Sequence, residues 1–211
     1  MRLESIISKS ASFRNILREE KYSSLSTLLA APKASSISSM WNSFKNSPKD
    51  FYNDLNFSIH KKEMLRRYDT DWDNAIIYAS KPYAEFIKSP RPPCGELMQM
   101  ITDILDDFKY IYEYDHWKND RLLLRLALRA YKLENGKYPA KLDDLVPGYI
   151  KKIPTDPFAV KGEYKYKSTG GSYLLYSIGP DCKDDGGKSV PKGLRRPDMK
   201  AKGDLVVEIG S

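Results

Sequence analysis

Cysteine and histidine are scarce in this chain: Cys94 and Cys182 are its two thiols, His60 and His116 its two imidazoles. Two thiols so far apart build neither a structural zinc site nor a disulfide framework, and they fit one bridge or two free thiols equally well. Neither imidazole has a local set of partners that would mark a general base or an activated nucleophile, and His116 beside Trp117 reads as a packed surface histidine. Long apolar runs are missing too. The uncharged stretch Tyr22–Ala31 carries serines and falls far short of the roughly 20 residues a bilayer-spanning helix needs. Met1-Arg2-Leu3-Glu4 is followed by serine and lysine rather than by a cleavable apolar segment, so either the protein stays inside the cell or an export segment lies upstream of this sequence.

What is present argues for a folded protein. The 211 residues include 7 Phe, 3 Trp and 15 Tyr, far too many aromatics for a disordered chain, and the length suits one ordinary domain or two small ones. The net charge of +7 suggests nucleic acid until it is divided along the chain. Residues 1–50 carry 8 basic against 4 acidic groups, 51–150 carry 15 against 16, and 151–211 carry 12 against 8. The excess lies at the two ends and builds no continuous stripe, so no nucleic-acid partner is expected.

The pattern divides the chain at Ser89–Cys94, where Pro90, Pro92 and Pro93 forbid helix. Before it lies a helical region, 1–93. It opens with a loosely packed, serine-rich arm and continues with helices expected over Pro48–Arg67 and Thr70–Lys88. After it, residues 94–211 begin with a helix pair. The first helix carries Leu97, Ile101, Ile104, Phe108 and Ile111 on one stripe. The second, Asp120–Glu134, has Arg121, Arg125, Arg129 and Lys132 as its polar stripe, Leu126 at a central buried position, and Asn135-Gly136 as its stop. Leu142 and Leu145 suggest one short helical turn, and Pro154 and Pro157 bracket a tight corner. Alternation then marks three strands, over Glu163–Lys167, Tyr173–Ile178 and the segment holding Leu205, Val207 and Ile209. Ser168–Ser172 is a hairpin loop between the first two. The expected class is α+β, an antiparallel meander packed on a buried helix.

Two motifs invite chemistry. Asp184-Asp185-Gly186-Gly187-Lys188-Ser189 imitates the end of a phosphate-binding loop, but the first glycine such a loop needs is replaced by Cys182, and two carboxylates in the cradle would repel phosphate. With no catalytic constellation, no enzyme is expected. The acidic turn Asp181–Gly187 offers the several carboxylates and carbonyls that calcium takes, in a spacing unlike an EF-hand; an ordinary Asp/Gly-rich turn explains it as well. The segment Lys188–Lys202 holds six basic residues against Asp198 alone, so Lys192, Arg195 and Arg196 are candidates for binding an acidic protein or lipid headgroups, and a soluble loop fits them equally.

Several phrases, in order, carry a resemblance: Leu126–Pro139 with its Tyr131-Lys132 and Asn135-Gly136-Lys137-Tyr138-Pro139, then Leu142–Ile150, Ile153-Pro154-Thr155-Asp156-Pro157-Phe158, Tyr164-Lys165-Tyr166 and Leu175–Asp181. From about residue 120 to 209 the chain resembles the C-terminal domain of the major pseudopilin of type II secretion systems, and beyond that bacterial proteins that attach this module to an unrelated N-terminal region. The resemblance implies one long helix on a small three-stranded antiparallel sheet. It also implies structural pins at Tyr138-Pro139 and Asp156-Pro157-Phe158. It places calcium at the loop beginning at Asp181, with Asp204 as a second carboxylate and Asp184 or Asp185 completing the shell. Cys182 stands where the family has glycine, and the basic stretch Lys188–Lys202 intrudes. No prepilin cleavage phrase or N-terminal apolar helix is found, so any membrane attachment is expected through an anchor outside this sequence. The role implied is a noncatalytic module for extracytoplasmic assembly or protein contact, with secretion or pilus-like components as partners, in the periplasm or on the outer face of the cytoplasmic membrane. The alternative is a soluble binding protein that reuses the fold and contacts an acidic partner through its basic loop.

Overall fold

The computed structural model describes residues 12–30, 45–160, 162–191 and 198–210. They fall into two compact units, one of Ala11–Ser80 with Pro90–Ile104, the other including Lys81–Ser89 with Leu105–Ser211.

The first unit contains helix α1, Phe13–Ala30, and helix α2, Pro48–Ala79, which pack on each other. On α1 the buried positions Phe13, Leu17 and Lys21 recur every four residues, one face of a helix. On α2, Trp72, Ala75, Ile76 and Ala79 form the buried stripe. Lys21 places its ammonium 2.7 Å from both Asp69 and Asp73, which stand one turn apart on α2. Burial would lower the lysine's pKa, but the two carboxylates together outweigh it and raise it.

A single helix replaces the break expected near Arg67–Thr70. That stretch holds no proline or glycine, and the Thr70 hydroxyl donates back to the Arg66 carbonyl inside the helix instead of capping a new one. The real stop comes at Ala79, because Pro82 supplies no amide donor and disfavours helix at Lys81. Pro82 then opens the one-turn helix α3, Tyr83–Phe86, in the second unit.

Helix α4, Glu96–Asn135, likewise replaces the expected pair. Residues 112–119 contain nothing that breaks a helix, and the buried stripe runs through them as Tyr110, Tyr114 and Trp117 before it reaches Leu124, Ala127 and Leu128. Inside the helix Lys109 pairs with Glu113 at 2.7 Å. The facing of both halves is corrected: in the first, Ile104 and Phe108 are exposed while Leu105 and Tyr110 are buried. In the second half, Leu124 and Leu128 are fully buried, whereas Leu126 is 41% exposed, because 117, 124 and 128 share a face that 126 misses by nearly half a turn. Its basic residues partly cover rings: the Arg121 guanidinium lies 5.5 Å from the Trp117 ring centre and the Lys132 ammonium 4.5 Å from that of Tyr138.

The stop at Asn135-Gly136 is as expected. Gly136 adopts φ +72° and donates to the Lys132 carbonyl, a left-handed helix end. A 3-10 turn, Leu142–Leu145, buries Leu145. The sheet follows as β1, Lys165–Ser168, β2, Tyr173–Ser177, and β3, Leu205–Gly210, antiparallel in the order β1-β2-β3. Opposite Leu175 and Tyr176 of β2 stand Glu208 and Val206, so β3 bulges at Val207. Leu124 and Leu128 of α4 share one core with Phe158, Leu175 and Leu205. Tyr83 of α3 joins that core, with its ring edge-on to Phe158 at 5.0 Å. The architecture is α+β, a long helix with a small three-stranded antiparallel sheet. Among the described residues no helix is long and apolar enough to cross a membrane.

Candidate functional site

The segment between β2 and β3 begins in a tight turn. Gly179 has φ +76°, and a Cβ there would come 2.3 Å from the Gly203 carbonyl, so only glycine lets the chain pass. Cys182, where the family resemblance leads one to expect glycine, is a non-glycine residue at positive φ, +55°. It is half-buried, and burial pushes its thiol up to about 11. Both cysteines are free thiols.

Four aspartates expected from the sequence to hold a cation lie on this segment and at the start of β3. Asp181 accepts the Lys183 amide at 3.2 Å through Oδ1. Asp184 accepts the Tyr176 hydroxyl at 3.1 Å and the Gly186 amide at 3.0 Å, both on Oδ1. Burial first, then the Asp184 carboxylate, pushes the Tyr176 phenol up to about 12. Asp204 is fully buried; its Oδ1 accepts the Asp185 amide at 3.2 Å and its Oδ2 the Gly187 amide at 2.6 Å. Asp185 enters this arrangement by its backbone, and its side chain is exposed. Among the described residues no three or more His, Cys, Asp or Glu side chains are grouped so as to hold a metal ion. Lys192, Arg195 and Arg196 lie outside the described residues.

A second polar cluster, around the Pro154–Pro157 corner, was not legible in the sequence. Asp156, in the Pro154–Pro157 corner, is almost fully buried; its Oδ1 accepts the Phe158 amide at 3.0 Å and the Ser177 hydroxyl at 2.8 Å. Its Oδ2 is buried without a hydrogen-bond partner among the described residues. On α4, Asp120 accepts the Tyr164 hydroxyl at 3.1 Å. Burial pushes Asp156 up to about 6. It pushes Asp120 up to about 7, where the Tyr164 bond opposes it and the charge of Asp156 adds to it. The one sequence signal was the proline bracket around Asp156, which marks a corner and says nothing of a carboxylate 36 residues earlier.

Residues 115–192 match the family model for protein G of the type II secretion system. The C-terminal domain is pseudopilin-like. Its match begins inside α4 and ends in the loop after β2, so Asp204 and β3 lie beyond it. The type II secretion system core protein G of Pseudomonas aeruginosa is 35% identical over 86 residues, covering 33% of this chain and 61% of that protein. The chain thus spans less than two thirds of this relative. No solved structure matches. Within the pseudopilin-like domain, the tyrosine and corner phrases that carried the resemblance hold the core in place. The Tyr138 amide donates to the Gly170 carbonyl at 2.9 Å, the Tyr166 hydroxyl to the Pro139 carbonyl at 2.9 Å, and Phe158 is fully buried.

Proposed function

We propose that this chain is a noncatalytic, pseudopilin-like module serving assembly or protein contact in a process related to type II secretion, in the periplasm or on the outer face of the cytoplasmic membrane. The observation that carries this reading is the match of residues 115–192 to protein G, on a unit built of one long helix and a three-stranded antiparallel sheet. Two features support it. The aspartates Asp181, Asp184 and Asp204 accept hydrogen bonds that shape their own loop, a structural use of carboxylates and not a catalytic one. And α4 turns Leu122, Leu126 and Leu133 outward at steps of four and seven, 52%, 41% and 77% exposed, a spacing that offers one helix face to another component of the assembly.

The test is site-specific photo-crosslinking from Leu126 of the full-length product in the cells that make it, combined with fractionation. The expected adduct contains a component of the secretion assembly and lies in the membrane or periplasmic fraction. A product confined to the cytosol, with no such adduct, would refute the reading and favour a soluble binding protein that uses its basic loop, including Lys192, Arg195 and Arg196.

A further inference from the structure

The pseudopilin-like resemblance implies calcium between β2 and β3, and the donor set among the described residues does not fit it. A divalent calcium takes six to eight oxygens around one point. Here the carboxylates answer to separate donors: Asp181 to the Lys183 amide, Asp184 to the Tyr176 hydroxyl and the Gly186 amide, Asp204 to the Asp185 and Gly187 amides. Backbone N–H groups present the positive ends of their dipoles, and two of them point at the two oxygens of Asp204, so they supply the positive charge that a cation would otherwise bring.

We propose that in this chain the Asp204 carboxylate itself closes the loop between β2 and β3, in place of a divalent cation, so that the domain folds independently of calcium. The backbone of the same residue completes the closure. Its amide donates to the Lys188 carbonyl at 2.8 Å, and its carbonyl accepts the Val190 amide at 3.1 Å. Four hydrogen bonds therefore run between Asp204 and residues 185–190. The glycines are fitted to this arrangement. Gly187 has φ +90°, and a Cβ there would come 2.7 Å from Leu174 Cδ2; Gly203 has φ +112°, and a Cβ there would meet the Lys188 carbonyl and the Val190 amide at 3.0 Å. A side chain at either position is strained by the positive φ, and at Gly203 it would also crowd the Lys188–Val190 backbone that Asp204 holds. The inference rests on the loop alone and is independent of any role in secretion.

The experiment is a thermal melt of the full chain in millimolar calcium and in chelator, with terbium luminescence as a direct probe of cation binding. The expected result is melting temperatures that agree within about one degree, and no sensitised terbium signal. Asp204→Asn turns one amide hydrogen-bond donor toward a backbone donor, so it should lower the melting temperature by several degrees in both buffers and open residues 181–191 to limited proteolysis. Asp181→Asn and Asp184→Asn should do far less. A rise of several degrees with calcium in the wild-type chain, abolished by Asp181→Ala, would overturn the proposal. Should Asp204→Asn fail to fold, the wild-type comparison and the terbium signal decide it.

Discussion

Asp120→Asn should stabilise the pseudopilin-like domain at neutral pH and flatten its pH dependence, leaving the part that Asp156 contributes. In the unfolded chain an aspartate titrates near 3.9. In the folded protein burial pushes Asp120 up to about 7. The folded state thus holds this proton more tightly than the unfolded state, and its contribution to stability is fully present below about pH 4 and lost as the pH rises toward about 7. A difference of about three pH units between the two states corresponds to about 4 kcal/mol, and because the side chain keeps some solvent we expect about 2 to 4 kcal/mol. Asparagine keeps an oxygen for the Tyr164 hydroxyl and cannot ionise, and it also removes the repulsion with Asp156. Asp156, pushed up to about 6 by burial, contributes in the same direction between about pH 4 and pH 6 and remains in the variant. The assay is urea unfolding from about pH 4 to about pH 8, read by amide-exchange protection of β2 so that the signal comes from the sheet. The two proteins should be close at the acid end and diverge steadily toward neutrality, the variant being the more stable. Parallel pH profiles, or a variant weaker at about pH 8, would refute the reasoning.

Two further substitutions probe the core. Leu124→Ala or Leu128→Ala, at fully buried positions, should cost about 2 to 5 kcal/mol, whereas Leu126→Ala should stay within about 0.5 kcal/mol; equal shifts of the urea midpoint would contradict the helix facing. Tyr83→Phe should be neutral or slightly stabilising, because the Tyr83 hydroxyl is buried without a hydrogen-bond partner among the described residues, while Tyr83→Ala should cost about 3 to 5 kcal/mol through the lost ring contact with Phe158; a strongly destabilised Phe variant would show that the hydroxyl has a partner after all.

Much of this protein was legible in its sequence wherever the cause is local. The alternation of Tyr164 and Tyr166, and of Leu174, Tyr176 and Ile178, marks strands because side-chain direction reverses at every residue, although β1 begins only at Lys165, β2 ends at Ser177, and Tyr173 and Leu175 are buried where Leu174 is not. Asn135-Gly136 marks a helix end because glycine reaches positive φ without strain, and the observed +72° is that conformation. The phrases from Tyr131 to Asp181 carried the family likeness for the same reason: turns, corners and caps are encoded in a few adjacent residues. Tertiary structure decided the rest. Leucines at 122, 123, 124 and 126 have equal hydrophobicity, and only the position of the sheet determines that Leu124 is buried and Leu126 is not. The continuity of α4 through residues 112–119 depended on Tyr114 and Trp117 finding a core, which the charged residues between them obscured. The four aspartates near the loop look alike in sequence, but Asp204 is 19 residues from the Asp185 amide it accepts, and Asp120 is 44 from Tyr164. Whether such a carboxylate meets an amide dipole, a hydroxyl or a cation, and how far burial raises its pKa, depends on groups that only chain closure brings together.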